Sequence, residues 1–282
     1  MSLRNRAGRV KRQLSSLFVR IKNCIGSDSI KLDSYGIKYL SSPNDALDFL
    51  TQSDSGFENG LPWFLNSITS GDGIAVDVGA NAGYYTMPLS RHFTEVYAFE
   101  PVPQIYKKLC RNIEINQIKN VKTFSTAVGA VDETLPYFVQ SVVDGDRNIN
   151  TGLSSLTKRE NFKTKEITIN VNRLDSLFLE EKISLLKVDV EGHEYQVFQG
   201  AEQIIVKQLP VIIWEASFNI SKVNTQQSFD FLSSIGYQHF LISNLNTLVK
   251  LSKNEFQQMD SDFNVLSCTN PAIDLINHLQ SH

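Results

Sequence analysis

The chain predicts an α/β fold, a mostly parallel sheet covered by helices on both faces with an antiparallel C-terminal edge. Three observations predict it. From about residue 61 onward, short apolar β-branched runs alternate with longer segments of helical period. A glycine-bearing loop joins the first of these runs to the segment that follows it. Beyond the last helical segment, three strand-like runs succeed one another, as an antiparallel tail requires. With 282 residues, 41% hydrophobic and 20% charged, the chain can bury a core of ordinary size, which excludes a disordered chain and a disulfide-built miniprotein.

Taken in order, strands are expected at 74–78, 95–99, 121–127, 185–190 and 210–215, each read as a buried strand at the centre of the sheet. Helices fit 82–92, 103–117, 194–208 and 225–236. Pro101 and Pro103 favour entry into the second, and Gly236 stops the last. Runs 134–140 and 166–171 alternate apolar and polar residues as strands do, and flank 141–165, a polar insertion or lid. The tail strands are 238–243, 246–251 and 263–268, with a turn at Asn244-Leu245-Asn246. The chain thus divides into an N-terminal helix with a connecting segment (1–60), a main domain (61–270) and a short tail (271–282).

Arg4, Arg6, Arg9, Lys11, Arg12, Arg20 and Lys22 all precede the first acid, Asp28, so the net charge of −3 conceals a basic N terminus on an acidic remainder. Val10, Leu14, Leu17, Phe18, Ile21 and Ile25 recur there at helical spacing, predicting a basic amphipathic helix. Its apolar face could pack on its own domain, on a second subunit of a homodimer or on an anionic membrane surface; a transit peptide is another reading. No apolar run approaches the ~20 residues of a membrane span. Cys24, Cys110 and Cys268 lie far apart with no CxxC pairing, which excludes a zinc knuckle and points to a reducing, cytoplasmic setting.

The loop Val76-Asp77-Val78-Gly79-Ala80-Asn81-Ala82-Gly83-Tyr84-Tyr85-Thr86 stands where doubly wound sheets bind ligands. Gly79 and Gly83 let the backbone approach one. Asn81 occupies the place of the second glycine of a dinucleotide fingerprint, the glycine that admits a pyrophosphate, so a ligand without phosphates fits better. Asp77 suits a cofactor carrying an ammonium and a sulfonium. Glu100 follows Gly79 by 21 residues, at the end of the next strand, where an acid can accept both ribose hydroxyls. That acid alone does not separate S-adenosylmethionine from NAD. Small residues after the third strand, Ala127 among them, leave room for an adenine ring.

At this point the chain resembles the FkbM family of methyltransferases. The resemblance rests on the loop from Val76 to Thr86, on Ala98-Phe99-Glu100-Pro101, on Gly152-Leu153-Ser154-Ser155-Leu156 and on Leu174-Asp175-Ser176-Leu177. It rests most on Leu186-Lys187-Val188-Asp189-Val190-Glu191-Gly192-His193-Glu194, completed by Gly200-Ala201. The match spans about 70–217 in the expected order. It implies a Rossmann-like methyltransferase with a mostly parallel seven-stranded sheet, S-adenosylmethionine as cofactor with Tyr85 among the cofactor-loop residues, and O-methylation of a sugar, glycan or other small metabolite.

Asp189, Glu191, His193 and Glu194 crowd the C-terminal end of one strand. An alcohol that attacks a sulfonium methyl gains from a group that takes its proton, and Asp189 and His193 are the candidates. Glu191 and Lys187 can fix substrate hydroxyls. Glu194 reads as a first-turn acid opposing the helix dipole. Ser154 and Ser155 close on the substrate by the resemblance, and Glu215 reaches the same sheet edge from the following strand. Two carboxylates make a thin metal site, so no metal is expected. The competing classes are a nicotinamide-dependent oxidoreductase, which leaves the acids at 189–194 without a role, and a non-catalytic cofactor- or nucleic-acid-binding module. No nucleic-acid partner is expected, because aromatic residues do not interleave with the basic ones.

Overall fold

The computed structural model describes residues 29–33, 36–41, 64–65, 71–140, 164–243 and 247–269. The basic N-terminal segment, the turn at 244–246, Ser154, Ser155 and nearly all of the insertion lie outside the described residues.

A hairpin of β1 (Ser29–Leu32) and β2 (Lys38–Ser41) comes first, within the stretch read as a connecting segment. It is joined to the main body: Leu40 N–H donates to Asn112 Oδ1 at 2.7 Å and Lys38 N–H to Asn116 Oδ1 at 2.9 Å. The main body then runs β3 (Gly71–Val78), α1 (Thr86–Leu89), β4 (Phe93–Phe99), α2 (Pro103–Ile115), β5 (Val121–Phe124), β6 (Ala127–Val128), β7 (Glu133–Gln140) and β8 (Thr164–Asn172). There follow α3 (Leu174–Phe178), β9 (Ile183–Val188), α4 (Glu194–Gly200), α5 (Glu202–Gln208), β10 (Val211–Ala216), α6 (Lys222–Ile235), β11 (Gln238–Ile242), β12 (Leu248–Leu251), α7 (Lys253–Gln257) and β13 (Phe263–Cys268).

The main sheet has eight strands in the order β12-β11-β13-β10-β9-β3-β4-β5. The five from β5 to β10 are parallel and the three tail strands are antiparallel, as the patterning predicts. Eight replaces the expected seven because β12 pairs with β11 along four residues and extends the edge. Chain order reverses between β3 and β9, which puts the switch point, where such sheets bind ligands, at their carboxyl ends.

Strand alternation sorts the two faces. Val76, Val78, Leu186, Val188, Ile212 and Trp214 meet Val197, Phe198, Ile204, Phe229 and Phe256 from α4 to α7 on one face. Ala75, Leu185 and Ile213 meet Tyr85 and Leu89 on the other, where Ala98 packs on Leu109 and Ile113 of α2. Burying each such side chain stabilises the layer by roughly 1.5–3 kcal/mol.

Four local expectations are corrected. The helix expected at 82–92 shortens to α1 because Gly83 takes φ 92°, outside the helical region. The strand expected at 121–127 ends at Phe124, and Ala127 pairs instead with Val171 in a separate sheet of order β6-β8-β7. Consequently β5 is an edge strand, partly exposed, rather than a buried central one. The helix expected at 194–208 divides at Ala201, where φ is −114°. A Cβ on the preceding Gly200 would stand 1.9 Å from the Gly129 carbonyl oxygen, so backbone meets backbone there. Asp175 then starts the second half, its two oxygens accepting the Gln203 and Ile204 N–H groups at 3.0 Å each.

Candidate active site

Parallel pairing sets Asp77 of β3 beside Lys187 of β9, and Lys187 beside Ile213 of β10. Side chains two residues apart share a face, so Glu215 near the end of β10 and Glu100 and Asp189 just past β4 and β9 continue that face. Four carboxylates and one ammonium therefore gather about the switch point. Lys187 is wholly buried, its Nζ 2.8 Å from Asp189 Oδ2 and 4.3 Å from the centre of the Tyr85 ring. Asp189 keeps 21% of its side chain exposed. A buried ammonium needs this carboxylate and this ring face to stay charged.

Asp77 is fully buried, and burial raises its pKa above the usual carboxylate value while Lys187 and Thr86 oppose the rise. Its Oδ2 accepts the Thr86 hydroxyl at 2.6 Å, and its Oδ1 has no hydrogen-bond partner among the described residues. It pins the loop to the start of α1. Glu100 is 5% exposed. Its Oε2 accepts the Asn81 N–H at 3.1 Å and its Oε1 the Val102 N–H at 2.8 Å. Burial pushes its carboxyl up to about 7. Each oxygen retains a lone pair for a further donor.

Asn81 takes a left-handed φ of 51°, with its Oδ1 accepting the Ala82 N–H at 2.7 Å. Asparagine is among the few residues that tolerate this conformation, so the loop forms without the second glycine. At Gly79 the close approach is to protein: a Cβ would lie 1.9 Å from the Asp189 carbonyl oxygen. The two loops that bound the switch point thus touch, and Asp189 N–H also donates to the Val78 carbonyl at 3.0 Å. Gly83 has Leu109 as its neighbour.

From Asp189 the chain turns through two left-handed residues, Glu191 at φ 55° and Gly192 at φ 91°. His193 stands at the N-cap of α4, and burial lowers its pKa below the usual 6.5. Glu194 does more than the expected first-turn acid. It is fully buried, and its Oε1 accepts the N–H groups of Val190 at 3.2 Å and Gly192 at 3.1 Å and the Ser217 hydroxyl at 3.3 Å. Ser217 also lies 3.0 Å from Glu215 Oε2, so this hydroxyl ties the ends of β9 and β10 together. Thr86 and Ser217 were missed in the sequence. Their only signal is position, one ending the glycine loop and the other following Glu215 by two residues. Ala127, in β6, belongs to the smaller sheet. Among the described residues no group of three or more His, Cys, Asp or Glu side chains is placed to hold a metal ion.

Residues 77–240 match the family model of the methyltransferase FkbM domain. The chain is 26% identical to Methyltransferase 1 of Beauveria bassiana over 147 residues, covering 46% of this chain and 59% of that protein. It is 27% identical over 172 residues to a methyltransferase of Sordaria araneosa, covering 50% of this chain and 66% of that one. The chain therefore spans less than two thirds of the length of either relative. Among solved structures, a methyltransferase FkbM from Methylobacillus flagellatus aligns with TM-score 0.46 at 16% identity, over 72% of this chain and 47% of that one.

Proposed function

Because the chain belongs to the FkbM methyltransferase family, we propose that it moves a methyl group from S-adenosylmethionine to a hydroxyl oxygen of a sugar, glycan or other small metabolite. The observation that carries this reading is the Lys187–Asp189 pair at the switch point, a partly exposed carboxylate held by a buried ammonium beside the cofactor loop.

The residues present fit the cofactor. It bears a sulfonium and an ammonium, and the site offers Glu100, Asp189 and Glu215 over the buried charge of Asp77, whose Oδ1 lacks a partner among the described residues. Glu100, with a free lone pair on each oxygen, accepts the ribose hydroxyls. When bound, the cofactor supplies an electrophilic methyl carbon.

Asp189 would accept a hydrogen bond from the acceptor hydroxyl and hold its oxygen in place, since a direct displacement needs nucleophile and methyl in line. In the transfer that a bound cofactor would support, His193 would take the proton that the acceptor hydroxyl gives up. His193 suits that role because burial keeps its imidazole neutral at pH 7. Asp189, held at 2.8 Å by the Lys187 ammonium, serves to orient the hydroxyl. Glu191 and Glu215 fix other hydroxyls of the acceptor, and the family resemblance gives Ser154 and Ser155 the same task.

Calorimetry with S-adenosylmethionine, S-adenosylhomocysteine and NAD tests the cofactor: the first two bind and NAD does not. A panel of sugars and hydroxylated metabolites, read by mass and NMR, tests the acceptor. A methyl group found on nitrogen or carbon would overturn the O-transfer. Asp189→Ala and His193→Ala should each lower turnover by about 10²-fold or more with cofactor affinity nearly unchanged.

A further inference from the structure

We propose that the outer face of the β1–β2 hairpin seats the protein on an anionic lipid surface. The register of the hairpin puts Ile30 opposite Leu40 and Leu32 opposite Lys38, and opposite residues share a face. Lys31 faces Tyr39 on the other side. The inner side is used: Tyr39 is 5% exposed and its ring lies 5.1 Å from that of Tyr84. Asn112 and Asn116 of α2 hold the β2 backbone, so the hairpin cannot roll over to hide its outer side. On that outer side Ile30 is 58% exposed and Leu32 is 63% exposed, flanked by exposed Lys38 and half-buried Leu40.

Charge selects the occupant. Seven arginines and lysines stand between residues 4 and 22 with no acid before Asp28, and Lys31 and Lys38 continue the positive charge into the hairpin. Asp33, the acid beside them, accepts the Ile37 N–H at 2.8 Å in the hairpin turn. Two aliphatic side chains bind a bilayer only weakly by themselves, and a polybasic segment adjoining them supplies the second signal that stable attachment requires. Val10, Leu14, Leu17, Phe18, Ile21 and Ile25, at helical spacing in the same segment, add apolar area of the same kind. The inference stands apart from the methyl-transfer reading, and its test needs no acceptor.

Co-sedimentation of the full chain with vesicles decides it. Binding is expected to phosphatidylcholine vesicles containing about 30% phosphatidylserine and not to phosphatidylcholine alone, falling as salt rises from about 0.1 to about 0.5 M. Ile30→Ser with Leu32→Ser should weaken binding about tenfold or more. Lys31→Ser with Lys38→Ser should weaken it and flatten its salt dependence. All four positions are exposed, so an unchanged melting temperature and unchanged S-adenosylmethionine affinity will certify folded variants. Equal binding to both vesicles, no binding to either, or no effect of the Ile30 and Leu32 changes would overturn the proposal. So would sedimentation velocity showing a dimer that those changes dissociate, since the face would then be a subunit interface.

Discussion

The Lys187 ammonium lies 2.8 Å from the Asp189 carboxylate, with Lys187 entirely buried and Asp189 21% exposed. Asp77, from the neighbouring strand, adds a second and wholly buried carboxylate beside the same ammonium. Burial raises the Asp77 pKa, Lys187 and Thr86 hold it down, and Asp189 pushes it up again. The loop after β3 and the loop after β9 are therefore coupled through one cation. Lys187→Met should cost about 3 kcal/mol, because a buried acid loses its counter-charge. Adding Asp77→Asn should recover part of that loss. Urea unfolding of the two single variants and the double measures the coupling, and strict additivity would show that the three groups do not act as a unit.

Glu194 tethers the loop after β9, and its charge opposes its burial. Burial pushes its carboxyl up to about 7, against 4.5 in the unfolded chain. Between these values the native state binds more protons than the unfolded state, so the contribution to stability is full below about pH 4.5 and is lost as pH rises through 7. Glu194→Gln keeps an acceptor for Val190 and Gly192 without a charge. Its stability relative to the parent should rise with pH across that window and level off above it. Glu194→Ala removes the acceptor altogether and should speed amide exchange at Val190 and Gly192, which the Gln variant should not.

Much of this was legible in the sequence, for physical reasons that differ by element. The central parallel strands β3, β9 and β10 announce themselves because strands buried on both faces are near-continuous apolar runs, and Gly236 ends α6 at φ 102° as its position implied. What escaped was set by contacts between distant segments. Near Ala201 the sequence offers only Gly200 as a hint of a helix break, which arises where Gly200 meets the Gly129 carbonyl. Asp175 looked like one letter of a family motif, and the fold makes it the cap of α5. At the site, residue types were readable and roles were not. Gly79 reads in the sequence as a residue that lets the backbone approach a ligand, and the fold adds the Asp189 carbonyl that a Cβ there would meet.

The last point separates two glycines of nearly equal backbone angle. Gly79 at φ 80° faces the Asp189 carbonyl, and Gly36 at φ 78° has nothing within 4 Å of a Cβ. Gly36→Ala should cost only the left-handed conformation, about 1 kcal/mol. Gly79→Ala adds a clash with backbone that cannot be relieved by a rotamer, so it should cost well over ~3 kcal/mol or separate the two loops. Thermal melts of the two variants compare the terms directly. Equal losses would mean that the loops part easily.

His239 carries the fourth prediction, through a buried chain of hydrogen bonds remote from the site. The Ser233 hydroxyl donates to the Phe229 carbonyl at 2.7 Å, so at 2.9 Å from His239 Nε2 its oxygen can only accept. The proton is therefore on Nε2, and the bare Nδ1 accepts from Ser267 at 2.8 Å, whose oxygen accepts the Trp214 indole N–H at 2.9 Å. Nitrogen NMR should find this tautomer, with Nδ1 unprotonated. A second proton would set Nδ1–H against the Ser267 hydroxyl, and burial lowers the His239 pKa to about 4. The unfolded chain, with a histidine pKa near ~6.5, binds the proton first, so stability is lost as pH falls from about 6.5 to about 4. The gap corresponds to about 3 kcal/mol. The buried glutamates act oppositely over much of this range, so the parent is compared with His239→Gln, which titrates nothing at that position. The stability of the parent relative to this variant should fall by about 3 kcal/mol from pH 7 to pH 4, and a flat difference would show that His239 takes up its proton without leaving the chain of bonds.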